Sequence, residues 1–328
     1  MIHGQGRDGA INRRLAITAA LCAIAALIFS AKEAAAACLN ALELCGRMII
    51  PALFPFFVLS ILLNRLGLPG MLGKVFAPFA SRLYGISGAG ASALLIGLTG
   101  GYPLGAAYIA DMERQGSIAA SEGERLLGFC NNSGPAFIIG AVGSGVFGSV
   151  KIGLLLYAVH IFSALAAGLF FRNRSFCGET QPVLLESIDT GSVLAEAVKQ
   201  AVASILNVCG FVLCFSVMVG LLDAKGLFSL ACGFLSSHLG WELHFSRALL
   251  TGVLELGSAA GAMAGLDLTP HNLALAAGVL GWGGLSVHFQ TLAVLAGSKI
   301  KGALHLTGRL ISASIAAVTA YIIGVILF

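Results

Sequence analysis

The sequence predicts an all-α polytopic membrane protein of about nine transmembrane helices (roughly eight to eleven), arranged as two related repeats with broken helices. Three observations carry that prediction. The 328-residue chain is 58% hydrophobic and only 10% charged, against roughly 25% charged in an ordinary soluble domain. Its mean hydropathy is +0.93 and it holds 43 glycines, a composition suited to closely packed membrane helices. Several of its apolar runs are interrupted by Gly, Pro and polar residues far from any charge.

Taken in order, residues 1–40 form an N-terminal unit: a basic start (Arg7, Arg13, Arg14), an apolar run from Leu15 to Ser30, then an Ala-rich stretch. A cleaved signal peptide has the same order of parts. The apolar run is long for one and merges into further membrane sequence, so a retained transmembrane helix, a signal anchor, is the reading preferred. Residues 41–171 form a first repeat, 172–192 a polar linker, and 193–328 a second repeat. Hydrophobic segments lie near 11–31, 47–64, 86–110, 126–146, 152–171, 196–222, 247–265, 271–297 and 303–328. Two weaker stretches, 68–84 and 226–241, are open to an interfacial, re-entrant or spanning reading.

The halves correspond in order and spacing. A Pro- and Phe-rich helix opens the first and the segment 205–226 opens the second. Ala93-Leu-Leu-Ile-Gly then answers Ala248-Leu-Leu-Thr-Gly, and Ser133-Gly134-Pro135 answers Gly283-Gly284-Leu285. Interrupted hydrophobic segments in corresponding positions of two halves are the sequence mark of a transporter-like site. With nine spans the halves run parallel; if both weak stretches also cross, they are inverted.

The excess of Arg near the start places the N-terminus on the cytoplasmic side of the membrane. Nine spans then put Arg65, Lys74, Arg82, Lys151, Lys225, Arg247, Lys299 and Lys301 inside, and the loop 111–124 and the linker outside. Arg172 and Arg174 fit that arrangement poorly.

Four interruptions are candidates for a binding site. Thr99-Gly-Gly-Tyr-Pro-Leu-Gly105 lies in a charge-free run from Leu83 to Ala110. Gly100 and Gly101 free backbone amides, Thr99 and Tyr102 offer hydroxyls, Pro103 suits the first turn of a restarting helix, and Gly105 permits close packing. A merely kinked helix is the competing account. Asn131, Asn132 and Ser133, followed by the helix-breaking Gly134 and Pro135, are costly in hydrocarbon unless bonded. An interhelical hydrogen-bond clamp is the alternative there.

Glu255 is the one ionisable residue between Ala248 and Leu266. A carboxylate in mid-membrane costs about 2.5–3.5 kcal/mol and so points to function, unless it lies at the membrane surface. Gly283-Gly-Leu-Ser-Val-His-Phe-Gln290 pairs a flexible Gly283-Gly284 break with Ser286, His288 and Gln290. Ser286, His288 and Gln290 alternate, which aligns all three if the chain is extended there, as the Gly pair allows; in a helix Ser286 and Gln290 share a face and His288 turns away. The expected substrate-binding set is therefore Thr99, Tyr102, Asn131, Asn132, Ser133, Glu255, Ser286, His288 and Gln290.

No HExxH, G-x-S-x-G or Walker loop is present, and the seven histidines lack zinc spacing. No enzyme activity, metal or cofactor is expected. Eight cysteines form no CxxC pair. Basic residues sit singly at segment ends, which excludes a nucleic-acid partner. The expected partners are the lipid bilayer and an unnamed small polar solute, and a homo-oligomer is compatible with the sequence.

Through Pro51-Ala-Leu-Phe-Pro-Phe-Phe-Val-Leu-Ser60, Thr99–Gly105, Arg125–Pro135 and Gly283–Gln290, residues 40–325 resemble the sporulation integral membrane proteins that carry the nucleoside-recognition (Gate) domain. That domain is shared with spore maturation proteins and is similar to parts of nucleoside and ferrous-iron transporters. The resemblance implies a repeat-built membrane protein of a spore-forming bacterium, needed for the spore envelope and without enzyme activity. Transport or gating of a small polar solute is the expected function; a non-transporting scaffold for spore cortex or coat assembly is the alternative.

Overall fold

The computed structural model describes residues 4–173 and 190–328. Most of the polar linker, with Cys177, lies outside the described residues.

The described chain is helical throughout. α1 (Gly4–Phe29) leads into α2 (Ala31–Arg65), a long helix with a π-helical turn at Cys45–Ile49. Gly67, at φ 78°, turns the chain into the amphipathic α3 (Leu68–Tyr84), which Gly85 closes at φ 64°. Then come α4 (Gly88–Thr99), α5 (Leu104–Arg114), α6 (Ala120–Cys130), the π-helical α7 (Ala136–Val146) and α8 (Val150–Phe171). The second half repeats the order. It has a long α9 (Thr190–Ala224), a left-handed Gly226, and a short α10 (Leu227–Leu239) closed by a left-handed Gly240. After these follow α11 (Leu243–Leu254), α12 (Leu256–Met263), α13 (Pro270–Trp282), α14 (Gly284–Val294) and α15 (Ala303–Leu327).

Among the described residues, five helical stretches are long and apolar enough to cross a membrane: α2, α8, α9, the interrupted α13–α14 and α15. The runs 86–110 and 247–265, which read in the sequence as single spans, instead fold back on themselves. α4 has 12 residues and α5 has 11. At 1.5 Å per residue each reaches only about halfway through a hydrocarbon core of about 30 Å. A Cβ built on Gly105 would stand 3.0 Å from Gly97 Cα, so the two arms lie backbone to backbone.

The hairpins determine which ends of the molecule meet. Arg125 Nη1 donates to Gly85 O (3.1 Å) and Arg172 Nη2 to Arg82 O (2.9 Å). Arg114 Nη2 donates to Ala296 O (2.8 Å), and the Lys299 and Lys301 amides donate to Glu113 (3.1 Å) and Glu124 (3.2 Å). The loop 111–124 therefore shares one end of the molecule with Arg82, Arg172, Lys299 and Lys301. The nine-span arrangement, which put that loop on the other side, is corrected. A helical hairpin returns the chain to the end from which it started. The segments α2, α6–α7 and α8 run end to end in the first half. The odd number of passages makes the second half run in the opposite sense, with its own hairpin entering from the end marked by the Asp223–Arg247 ion pair (2.5 Å).

At the centre of the core, α2 and α9 face each other. Cys45, Ile49, Leu53, Phe57 and Ile61 recur every four residues and pack in one cluster with Ala197, Ala201, Ile205, Val208 and Val212. The outward faces carry exposed Leu59, Leu63, Leu194 and Leu206, as expected of helices facing lipid.

Candidate functional site

Each repeat contributes one hairpin tip and one interrupted helix, and each tip abuts the break in its own repeat. In the first, α4 ends at Thr99 and the chain turns through Gly101 (φ 80°) and a cis Tyr102–Pro103 bond. A Cβ on Gly101 would lie 3.0 Å from the Gly134 amide nitrogen, in the gap between α6 and α7. Glycine at both places lets the two irregular backbones touch. In the second repeat, the tip is Glu255, with extended backbone (φ −148°, ψ 124°). It meets the α13–α14 break, where a Cβ on Gly284 would lie 3.2 Å from Glu255 Cα.

Glu255 is 2% exposed. Its carboxylate accepts from the Gly257 amide (2.8 Å) and from the Ser258 amide, capping α12. A buried carboxyl group thus takes up the free amides at the start of a helix.

Between the four breaks lies a cavity of some 460 Å³, part of it open to the surroundings. Gly101 and Tyr102 line it from the first hairpin, Ser133 and Gly134 from the first break, Glu255 and Gly257 from the second hairpin, and Val287 and Gln290 from α14. Ile49 and Leu53 of α2, with Val208 and Val212 of α9, supply apolar walls. An apolar cavity with a few convergent polar groups has the form of a small-molecule site. Irregular backbone at this depth is tolerable because it lies inside protein and faces a polar cavity.

Of the residues singled out in the sequence, Tyr102, Ser133, Glu255 and Gln290 meet at this cavity. Asn131 and Asn132 stand behind its wall. Asn131 Oδ1 accepts from the Ala106 amide (3.2 Å) and its Nδ2 donates to Thr291 Oγ1 (2.9 Å), tying α5 to α14 across the two repeats. Asn132 Nδ2 donates to Phe129 O (2.7 Å) at the end of α6. The Ser133 amide donates to His160 Nε2 on α8 (3.1 Å).

Ser286 is fully buried and does not line the cavity. As helical spacing requires, His288 turns to another face, where its ring lies 4.3 Å from that of Trp282 and 4.9 Å from that of His305. Thr99 does not join the site. It is exposed, and its hydroxyl donates back to Leu95 O at 2.8 Å.

Sequence reasoning missed Arg309, His160, Thr291 and His305. Arg309 is the largest fully buried side chain and forms no ion pair among the described residues. Its Nη1 donates to Tyr102 Oη at 3.1 Å. The signal was present: an Arg well inside the apolar run that forms α15, where charge is expensive and so meaningful. His305 completes a second connection between the repeats, with Nδ1 3.2 Å from Leu127 O and Nε2 3.3 Å from Thr291 Oγ1.

No family model matches the chain. It is 30% identical over 302 residues to the sporulation integral membrane protein YlbJ of Bacillus subtilis (strain 168), a match covering 84% of this chain and 74% of that protein. Among solved structures it is similar to a variant of CNTnw in an outward-facing state. The TM-score is 0.55 and the sequence identity 15%, over 97% of this chain and 86% of that one. At that identity the likeness is one of fold.

Proposed function

We propose that this chain, which belongs to the family of sporulation integral membrane proteins, moves or gates a small polar solute through its central cavity in the service of sporulation. The observation that carries the proposal is the convergence of three chain breaks, at Gly101–Tyr102, Ser133–Gly134 and Glu255, on one cavity that holds a buried carboxyl group, with the fourth break, at Gly284, packed against Glu255. A scaffold needs no such site, and interrupting four membrane segments costs backbone hydrogen bonds that a purely structural bundle keeps. The fold likeness to a protein caught in an outward-facing state supports the same reading, since that name presupposes an inward-facing counterpart.

In this reading Glu255 accepts hydrogen bonds from the solute or carries a coupling proton or sodium ion. Tyr102 and Gln290 contact the solute from the opposite walls. The end bearing Arg82, Arg125, Arg172, Lys299 and Lys301 faces the cytoplasm, by the excess of basic residues there, with the N-terminus on the same side. No bond is made or broken, and the protein is not an enzyme.

The test is uptake into liposomes containing the purified protein, screened against nucleosides, metal ions and small solutes of the spore. Accumulation of one class above protein-free liposomes is the expected result. No uptake of any, together with loss of sporulation on charge reversal in the 111–125 loop, would favour a non-transporting scaffold.

A further inference from the structure

A second cavity, of some 380 Å³ and partly open to the surroundings, lies between α2, α4, α5 and α9. Its polar lining is Ser60 and Asn64 of α2, Tyr108 and Asp111 of α5, and Gln200 of α9. Three of these elements line the central cavity one step deeper, through Leu53 of α2, the residues just before α5, and Val208 of α9. From Leu53 to Ile61 is eight helical residues, so the two spaces stand about 12 Å apart along α2.

The barrier between them can be read from the helical registers. On α2, Phe57 falls on the stripe Ile49–Leu53–Phe57–Ile61, one turn from each cavity, and is 1% exposed. On α9, Ile205 falls between Gln200 and Val208, and on the hairpin Leu104 follows Tyr102. Phe57, Leu104 and Ile205 belong to one packed apolar cluster. The outer cavity sits at the end of the molecule where Arg65 pairs with Glu196 (2.5 Å) and Arg114 with Asp111 (2.8 Å).

We propose that the outer cavity is an entry subsite for the solute, separated from the central cavity by a gate of Phe57, Leu104 and Ile205 that is closed in this conformation. The subsite takes an uncharged solute rich in hydroxyl or amide groups. Four of its five polar side chains are neutral donors and acceptors, and its one carboxylate is already paired with Arg114. Three buried apolar side chains of one packed cluster, set between the two spaces, exclude water and polar solutes until they separate. This rests on the transport reading for its purpose but not for its test, which needs no solute.

The experiment is cysteine accessibility in the full-length protein with all eight native cysteines replaced. Single cysteines are placed by Gln115→Cys (a marker of this end), Asn64→Cys (outer cavity) and Leu53→Cys (central cavity). Each is exposed to a membrane-impermeant methanethiosulfonate in right-side-out and in inverted vesicles. Asn64→Cys is expected to react from the side that labels Gln115→Cys, and Leu53→Cys to resist reagent from that side.

Adding Phe57→Ala, which removes most of the closing contact, should raise the rate at Leu53→Cys from that side by about tenfold or more. Ile205→Ala should act in the same direction, and it serves where the Phe57 variant fails to accumulate in the membrane. Two results overturn the proposal: protection of Asn64→Cys from the marker side, or unchanged labelling of Leu53→Cys in whichever gate variant inserts. Neither depends on whether any solute is transported, so a failed gate and a failed transport reading are distinguishable.

Discussion

Arg309, fully buried on α15, donates to the hydroxyl of Tyr102 at the tip of the opposite repeat's hairpin, over 3.1 Å. The bond spans 207 residues of sequence and ties the last helix to the cavity wall. Because the Tyr102 oxygen accepts from the guanidinium, its own proton is free to be donated toward the cavity.

Replacing Tyr102 by Phe removes the one acceptor that Arg309 has among the described residues and leaves a buried charge without it. The expected loss of stability is about 1–3 kcal/mol, seen as a lower unfolding midpoint of the detergent-solubilised protein. Arg309→Gln in the Tyr102→Phe background should then cost less than it does alone, because the two positions share one interaction. Additive losses would show that the bond is idle.

A side chain on Gly134 would be tight against backbone, since its Cβ would lie 3.0 Å from Gly101 Cα. Gly134→Ala should destabilise by about 1–3 kcal/mol, the usual range for overpacking. Gly140, with nothing within 4 Å of its Cβ position, should tolerate Ala without measurable change in the same thermal assay. Equal effects at the two positions would remove the argument for a tight tip-to-break contact.

Asn131 and Thr291 form a cross-repeat bond of 2.9 Å. A double-mutant cycle with Asn131→Ala and Thr291→Val is expected to give a coupling of about 0.6–1.7 kcal/mol, the range for polar contacts between membrane helices. Zero coupling would show that the clamp is not formed in solution.

The breaks at 100–103, 131–135 and 283–284 were legible because Gly, Pro and polar side chains stand out in charge-free apolar sequence, whereas Glu255 stood out as a carboxylate in mid-membrane and not as a break. What hydropathy cannot show is reversal. The run around Gly100 and Gly101 is as apolar as a spanning helix, and only the backbone contact between Gly97 and Gly105 makes it a hairpin. For the same reason the side of the 111–124 loop was misread, since each hairpin changes the parity of everything after it.

Thr99 carried the right chemistry but sits on the outer side of its helix, bonded to Leu95 O. One turn of register separates a lining hydroxyl from an idle one. Arg309 was overlooked because its meaning lies in a partner on the other half of the chain, which no local pattern reveals.

Glu255 is the ionisable group lining the central cavity, and Gln in its place keeps an oxygen able to cap α12 while removing the ability to ionise. The decisive measurement is uptake of the solute found in the liposome screen, by wild type and Glu255→Gln reconstituted to the same density. The account predicts that the variant inserts and elutes like wild type yet accumulates solute at about a tenth of the rate or less, a loss of at least 1.4 kcal/mol of transition-state stabilisation. Wild-type uptake by Glu255→Gln would contradict the claim that the cavity between the four breaks carries the function.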